Sequence, residues 1–226
     1  QNLARSPRMD RLVDVAREHI VEFTARGRCY AGVSWGKDSL VIAGLIASSG
    51  LRIPLVWVRV EPAANPDCAI VRDAFLARFP ACEYVEIAVA CDRRGSAWSA
   101  TGTLERGFAE AAKQFGARHI SGVRSEESGS RKLREMTYGI ATERTCAPIT
   151  RWSGRDVFAY LARADLPVHP AYACSYGGAL ERERIRVASL GGKRGTGHGR
   201  REWEWAYYRD EMMALGLSAG ERVARV

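Results

Sequence analysis

Apolar residues fall into alternating short and long runs along this chain. From Asp10 to Arg26 they recur every three or four positions, at Leu12, Val13, Ala16, Ile20 and Phe23, and Gly27 follows. That spacing predicts a helix with one buried face and a glycine stop. Arg28 to Val33 predicts a strand, and Asp38 to Ser48, almost all apolar, predicts a helix covered by a sheet. Ile53 to Val60 predicts a second buried strand. Asp67 to Phe79 predicts a helix, which Pro80 ends. Glu83 to Val89 alternates as a strand does. A polar loop from Cys91 to Gly102 leads into a helix from Leu104 to Phe115, capped by Gly116, and Arg118 to Val123 predicts a further strand. A last helix is expected from Arg201 to Leu215.

Strands alternating with helices of this length imply right-handed crossovers. The predicted fold is α/β: three α/β/α layers around a mostly parallel twisted sheet, with a basic C-terminal extension. Three parts are expected: an N-terminal helix over residues 1–27, a main domain over 28–175, and a basic, Gly-rich segment with a helix over 176–226. In such sheets ligands gather beyond the C-terminal ends of the strands.

The loop after the first strand fits that place. In Gly32-Val33-Ser34-Trp35-Gly36-Lys37-Asp38-Ser39, an apolar strand gives way to polar and glycine residues just before a helix begins. The N–H groups of a helix start have no intrahelical acceptor and favour an anion. Lys37 adds a cation, and Ser34 and Ser39 add hydroxyls. It is not a Walker A loop: three residues, not four, separate Gly32 from Gly36, and Asp38 intervenes before Ser39.

Composition agrees with an anionic ligand. The chain of 226 residues is 46% hydrophobic and 27% charged, with net charge +8. The charge-free stretch from Ser39 to Leu51 is shorter than the roughly 20 residues that a membrane span needs. Gln1 to Arg8 has no apolar signal core, so a cytoplasmic protein is expected. The six cysteines form no C-x-x-C pair, which argues for buried reduced thiols and against an iron–sulfur cluster. His19, His119, His169 and His198 show no metal-ligand spacing; His198, inside a basic glycine loop, is a candidate for catalysis.

Ser34-Trp35-Gly36-Lys37-Asp38-Ser39 resembles the S-G-G-x-D-S PP-loop of the ATP pyrophosphatase superfamily, the adenine nucleotide α-hydrolases. Its S-x-G-K-D-S form is similar to the branch of the ATP sulfurylase small subunit and the phosphoadenosine phosphosulfate (PAPS) reductases. Trp35 stands where that pattern has its first glycine. Two later segments carry the resemblance further. Gly122, Arg124, Glu127, Ser128 and Arg131 match the G-x-R-x-x-E-S-x-x-R motif, on a stretch that follows a strand. Pro148 to Tyr160 and Leu166-Pro167-Val168-His169-Pro170-Ala171-Tyr172 resemble the P-I-x-x-W-x-x-x-D-V-x-x-Y and L-P-x-x-P-L-Y segments. Within the first of these, Ser153 followed by Asp156 predicts a helix start.

The resemblance implies a bound adenine nucleotide, ATP or a sulfonucleotide (PAPS or APS), on Ser34, Trp35, Gly36, Lys37, Asp38, Ser39, Gly122, Arg124, Glu127, Ser128 and Arg131. Lys37, Asp38, Arg124 and Arg131 are the implied catalytic residues, and Asp38 the implied Mg²⁺ ligand. Two features depart from the pattern. The second strand runs into Val60-Glu61-Pro62-Ala63-Ala64-Asn65 instead of an acidic-Thr-Gly turn, leaving Glu61 as the nearest polar candidate. After Cys174 there is no cysteine at all, whereas sulfonucleotide reductases use a C-terminal Glu-Cys-Gly-type nucleophile.

The expected reaction is therefore attack on the α-phosphorus of ATP by an unknown acceptor, with pyrophosphate released. Sulfonucleotide reduction through Cys174 or a partner's thiol is the alternative. A third is a non-catalytic nucleotide module in a nucleic-acid-modifying assembly. From Arg182 to Arg201 there are seven Lys and Arg against Glu183 alone, a candidate lid over phosphates or contact for nucleic acid. Trp203, Trp205, Tyr207 and Tyr208 could stack on bases, although packing is the commoner use of such a cluster. A homodimer stays open.

Overall fold

The computed structural model describes residues 2–90, 93–94, 97–98, 100–173, 181–191 and 200–216. Helix α1 (Pro7–Ala25) starts three residues earlier than the apolar period suggests. Ser6 accepts from the Met9 N–H, and Pro7, whose missing N–H costs nothing in a first turn, begins the helix. Then follow β1 (Cys29–Gly32), α2 (Lys37–Ser49), β2 (Leu55–Glu61), α3 (Asp67–Arg78) and β3 (Tyr84–Ala90). A short antiparallel pair, β4 (Arg93–Arg94) and β5 (Ala97–Trp98), precedes α4 (Ala100–Phe115) and β6 (Arg118–Ile120). The remaining elements are α5 (Gly129–Tyr138), β7 (Thr145–Cys146), α6 (Gly154–Arg163), α7 (Arg200–Tyr207) and α8 (Arg209–Ala214).

The main sheet has the order β3-β2-β1-β6-β7, and every neighbouring pair in it is parallel. Helix α4 packs across β1, β2 and β3 on one face, while α2 covers β1 on the other with α1 and α6 beside it. From β1 the chain steps outward to β2 and β3, then crosses by α4 to β6 on the far side of β1. Strand order therefore reverses between β1 and β6, so the loops leaving these two strands open side by side. Among the described residues no helix is long and apolar enough to cross a membrane.

Three elements differ from the sequence expectation. Residues 129–138 form α5, although none of its residues is buried; Leu133, Met136 and Tyr138 all face outward. The expected last helix is two, α7 and α8, separated at Tyr208, whose φ of −127° is not helical. The three expected parts are also not divided at the core. Met9, Val13, Ala16, Ile20 and Phe23 of α1 share one cluster with α2 and α3, and so do Ile185, Val187, Leu190, Tyr208 and Met212.

Candidate functional site

Between β1 and α2 the chain alternates in exposure. Val33, Trp35, Lys37 and Ser39 are buried, while Ser34, Gly36 and Asp38 reach the surface. The turn is tied internally. Ser39 Oγ accepts from the Ser34 N–H at 3.1 Å and donates to the Gly36 carbonyl at 3.0 Å. Helix α2 starts on Gly36 with no side-chain cap. Its first N–H, on Lys37, donates to the Tyr172 hydroxyl at 3.0 Å.

Trp35 explains both the family's glycine and its absence here. Its φ of +59° lies in the left-handed region where glycine is the ordinary occupant. The indole points away from the loop into the core, fully buried, with its ring 5.6 Å from those of Phe75 and Tyr84. Burying so large a ring offsets the backbone strain of about 1–2 kcal/mol. The Trp35 side chain thus packs in the core, although the sequence reading counts the residue in the binding set.

Cations gather on the open side of this loop. Lys37 is 2% exposed; its Nζ lies 3.0 Å from Asp38 Oδ2 and donates to the Ile185 carbonyl at 3.2 Å. Burial lowers its pKa first of all; Asp38 opposes the shift, and Arg124 and Arg186 add to it. The other Asp38 oxygen accepts from Arg124 Nε at 2.6 Å. Arg124 is itself 1% exposed and donates to the Trp152 carbonyl at 3.3 Å. Its guanidinium is therefore held inside, between Asp38 and the Trp152 carbonyl. Arg131, on α5, is half-buried and pairs with Glu127. Its pKa is lowered by burial and then by Arg186, which lies 3.6 Å from the same carboxylate. The sequence reading includes Arg186 only as part of the Arg182–Arg201 basic segment, a candidate lid over phosphates or contact for nucleic acid. No local signal in Arg184-Ile185-Arg186-Val187 points to Glu127 in particular, because the contact spans the fold.

The rest of the second motif shapes the site. A Cβ on Gly122 would stand 2.7 Å from the Asp38 carbonyl and 2.9 Å from the Ser39 nitrogen, so only glycine lets the chain after β6 pass the start of α2. Ser128 caps α5 by accepting from the Arg131 N–H at 3.3 Å, and Glu126 accepts from the Gly154 N–H at the start of α6 at 3.2 Å. Glu61, at the end of β2, pairs with Arg59, which also holds Glu86 at 2.5 Å.

Asp38 was the implied magnesium ligand. Both of its oxygens are engaged by cations, and among the described residues no three His, Cys, Asp or Glu side chains gather as a metal cage. The set does not fit a metal held by protein groups alone, and no step is derived through one. Three thiols are withdrawn: Cys29, Cys68 and Cys146 are buried, and burial pushes Cys68 and Cys146 up to about 12, while Cys82 is half-buried and raised by burial too. Cys91, Cys174 and His198 lie outside the described residues, as do the side chains of Arg200, Arg201 and Trp203. Of the aromatic cluster, Tyr208 is buried and donates to Asp67 at 2.7 Å, Trp205 packs against the core, and Tyr207 is exposed. Two of its members thus serve packing.

Comparison with known proteins places this arrangement. Residues 104–208 match the family model of the phosphoadenosine phosphosulfate reductase domain. Among solved structures, PAPS reductase from Candida auris in its phosphate complex aligns with a TM-score of 0.56 at 13% identity. That alignment covers 82% of this chain and 96% of the other. NMN synthetase from Francisella tularensis aligns with a TM-score of 0.50 at 14% identity, covering 97% of this chain and 90% of the other. At such identities the likeness speaks for the fold alone. A search of curated proteins finds no match.

Proposed function

We propose that this chain, a PAPS reductase-like protein with the fold of the PP-loop adenine nucleotide α-hydrolases, binds ATP on residues 34–39 and directs attack at its α-phosphorus. The observation that carries the reading is the coupling of Lys37 to Arg124 through the two oxygens of Asp38, at the uncapped start of α2. A cation fixed beside the N–H end of a helix is an arrangement suited to phosphate.

In this reading Ser34, Gly36 and Ser39 shape the loop on which the phosphates rest, and Lys37 supplies the nearest charge. Arg131, at the rim, neutralises charge that builds on the α-phosphate. Arg124 acts through Asp38, and so through Lys37, as a positioning residue. Gly122 admits the close approach of the two loops, while Glu127 and Ser128 orient Arg131. The acceptor's nucleophile forms a bond to the α-phosphorus as the bond to the bridging oxygen breaks. The electron pair leaves with pyrophosphate, and the adenylyl group stays on the acceptor.

Sulfonucleotide reduction is the second reading, favoured by the reductase match over residues 104–208. It needs an accessible thiolate, and the buried thiols of Cys29, Cys68 and Cys146 are poor candidates. Cys82 is half-buried and burial raises its pKa as well. The reading names Cys174 or a partner's thiol as the nucleophile; sulfite release lost in Cys174→Ser would support it.

The deciding experiment incubates the protein with α-labelled ATP and candidate acceptors. Adenylate or AMP and pyrophosphate should form, and Lys37→Ala should weaken nucleotide binding by about tenfold or more. If no product forms and Lys37→Ala leaves nucleotide affinity unchanged, the reading is wrong.

A further inference from the structure

Helix α6 carries apolar residues on two faces. Val157, Tyr160 and Leu161 are buried in the core, while Phe158, Ala159 and Ala162 form a second stripe that stays partly or fully exposed. That outer stripe floors a groove of about 690 Å³. One wall is the turn at Leu3, Ala4 and Arg5, and the other is Arg182 and Glu183.

Both walls are fixed in place. Ser6 Oγ donates to the Leu3 carbonyl at 2.7 Å, and the pairs Arg8–Asp156 and Arg163–Asp10 join α1 to α6. On the other side Glu183 lies against the first turn of α6. A Cβ on Gly154 would stand 2.6 Å from the glutamate's own Cβ, so glycine lets the two segments touch. The Arg182 guanidinium covers the Phe158 ring at 4.6 Å, and that ring packs edge-on against Tyr172.

Charge around this floor is one-sided. Arg5, Arg155, Arg163 and Arg182 line the groove against Glu183 alone. Arg163 is paired with Asp10, and Arg182 lies 3.7 Å from Glu183. Among the described residues no carboxylate forms an ion pair with Arg5 or Arg155, and both are exposed. Arg155 also stands in the first turn of α6, at the positive end of the helix dipole, where a cation is unfavourable. Its position does not serve the helix.

We infer that this groove is a docking surface for an acidic segment of a partner protein. An apolar side chain of that segment would rest on Phe158, Ala159 and Ala162, with flanking carboxylates on Arg5 and Arg155. A nucleic-acid strand calls for cations along its phosphates, whereas these ring a concave apolar floor that suits a peptide side chain. The inference is independent of the nucleotide reading, because no groove residue belongs to the loop at 34–39 or to the second motif.

Selection on the full chain from a displayed library of random peptides, each of about 12 residues, tests this. Selected sequences should carry Asp or Glu on both sides of a Leu, Ile or Phe. As synthetic peptides they should bind with Kd of about 1–50 μM. The double variant Arg5→Gln with Arg155→Gln should weaken them about tenfold or more, and Ala159→Trp, which fills the floor, should do the same. Arg52→Gln, an exposed arginine outside the groove, should leave binding within about twofold. The melting temperature of the double variant should stay level or rise, since a cation leaves the first turn of α6, and this separates lost binding from lost folding. Selected peptides without the acidic and apolar pattern, or equal affinity for the double variant, would overturn the proposal. A labelled single-stranded RNA that binds and is lost in the same variants, with no peptide enriched, would overturn it too and assign the groove to nucleic acid.

Discussion

The 2.7 Å that would separate a Cβ on Gly122 from the Asp38 carbonyl leaves no flexible side chain to give way, because backbone lies on both sides. Gly122→Ala must therefore push the start of α2 and the loop before it. It should cost about 1–3 kcal/mol in urea unfolding and weaken nucleotide binding in the same variant. Gly129→Ala is the control: nothing lies within 4 Å of its added methyl, and alanine suits a helix better. That change should be neutral or stabilise by up to about 1 kcal/mol. Trp35 teaches the converse lesson. Its glycine-like backbone is tolerated because the ring fills a space between Phe75 and Tyr84, so the side chain at this motif position serves packing.

Helix α6 shows an element whose start is legible in sequence. Ser153 accepts from the Asp156 N–H at 3.2 Å, and Asp156 accepts in return from the Ser153 N–H at 2.8 Å. Arg8 adds two contacts to the same carboxylate, at 2.5 and 3.0 Å, joining α6 to α1. Burial alone would raise the Asp156 pKa, but Arg8 and the Ser153 groups outweigh it and hold the carboxyl below its ordinary value. A depressed folded pKa stabilises above the unfolded value and is lost as pH falls through the folded one. Asp156→Asn should thus cost about 1–3 kcal/mol near pH 7, and its stability should converge with the wild type below about pH 4 in urea titrations. Other elements were hidden for physical reasons. Helix α5 buries no residue and turns Leu133, Met136 and Tyr138 outward, so no core-facing stripe marks it, and β7 is only Thr145–Cys146, paired at the sheet edge. The βαβ rhythm from Cys29 to Ile120 is legible because β1 and β2 are buried runs and β3 alternates between apolar and polar positions. Arg186 was not, because its meaning depends on a partner at Glu127.

At the scale of the whole molecule, stability against acid has an identifiable source. His169 is 1% exposed, and its Nδ1 accepts from the Ala171 N–H at 3.2 Å. Burial lowers its pKa to about 4, with Asp67 opposing the shift. Between that value and the unfolded one of about 6.5, the unfolded chain binds more protons, so stability falls as pH falls across the window. The loss is at most about 3 kcal/mol between pH 7 and pH 4. Urea unfolding should show this slope in the wild type and a flatter one in His169→Gln. Equal slopes would mean that other groups carry the acid sensitivity.

The tie between Lys37 and the Ile185 carbonyl has one more consequence, for the order in which the protein is made. The loop at residues 34–39 leaves the ribosome well before its partners at Arg124, Tyr172 and Ile185. Contacts so distant in sequence close slowly, and during synthesis they cannot close at all until the later residues emerge. A nascent chain that ends before Ile185 has the motif complete in sequence but lacks the backbone acceptor that fixes its lysine. The loop's lysine is thus fixed only after a partner 148 residues further along the chain has been made.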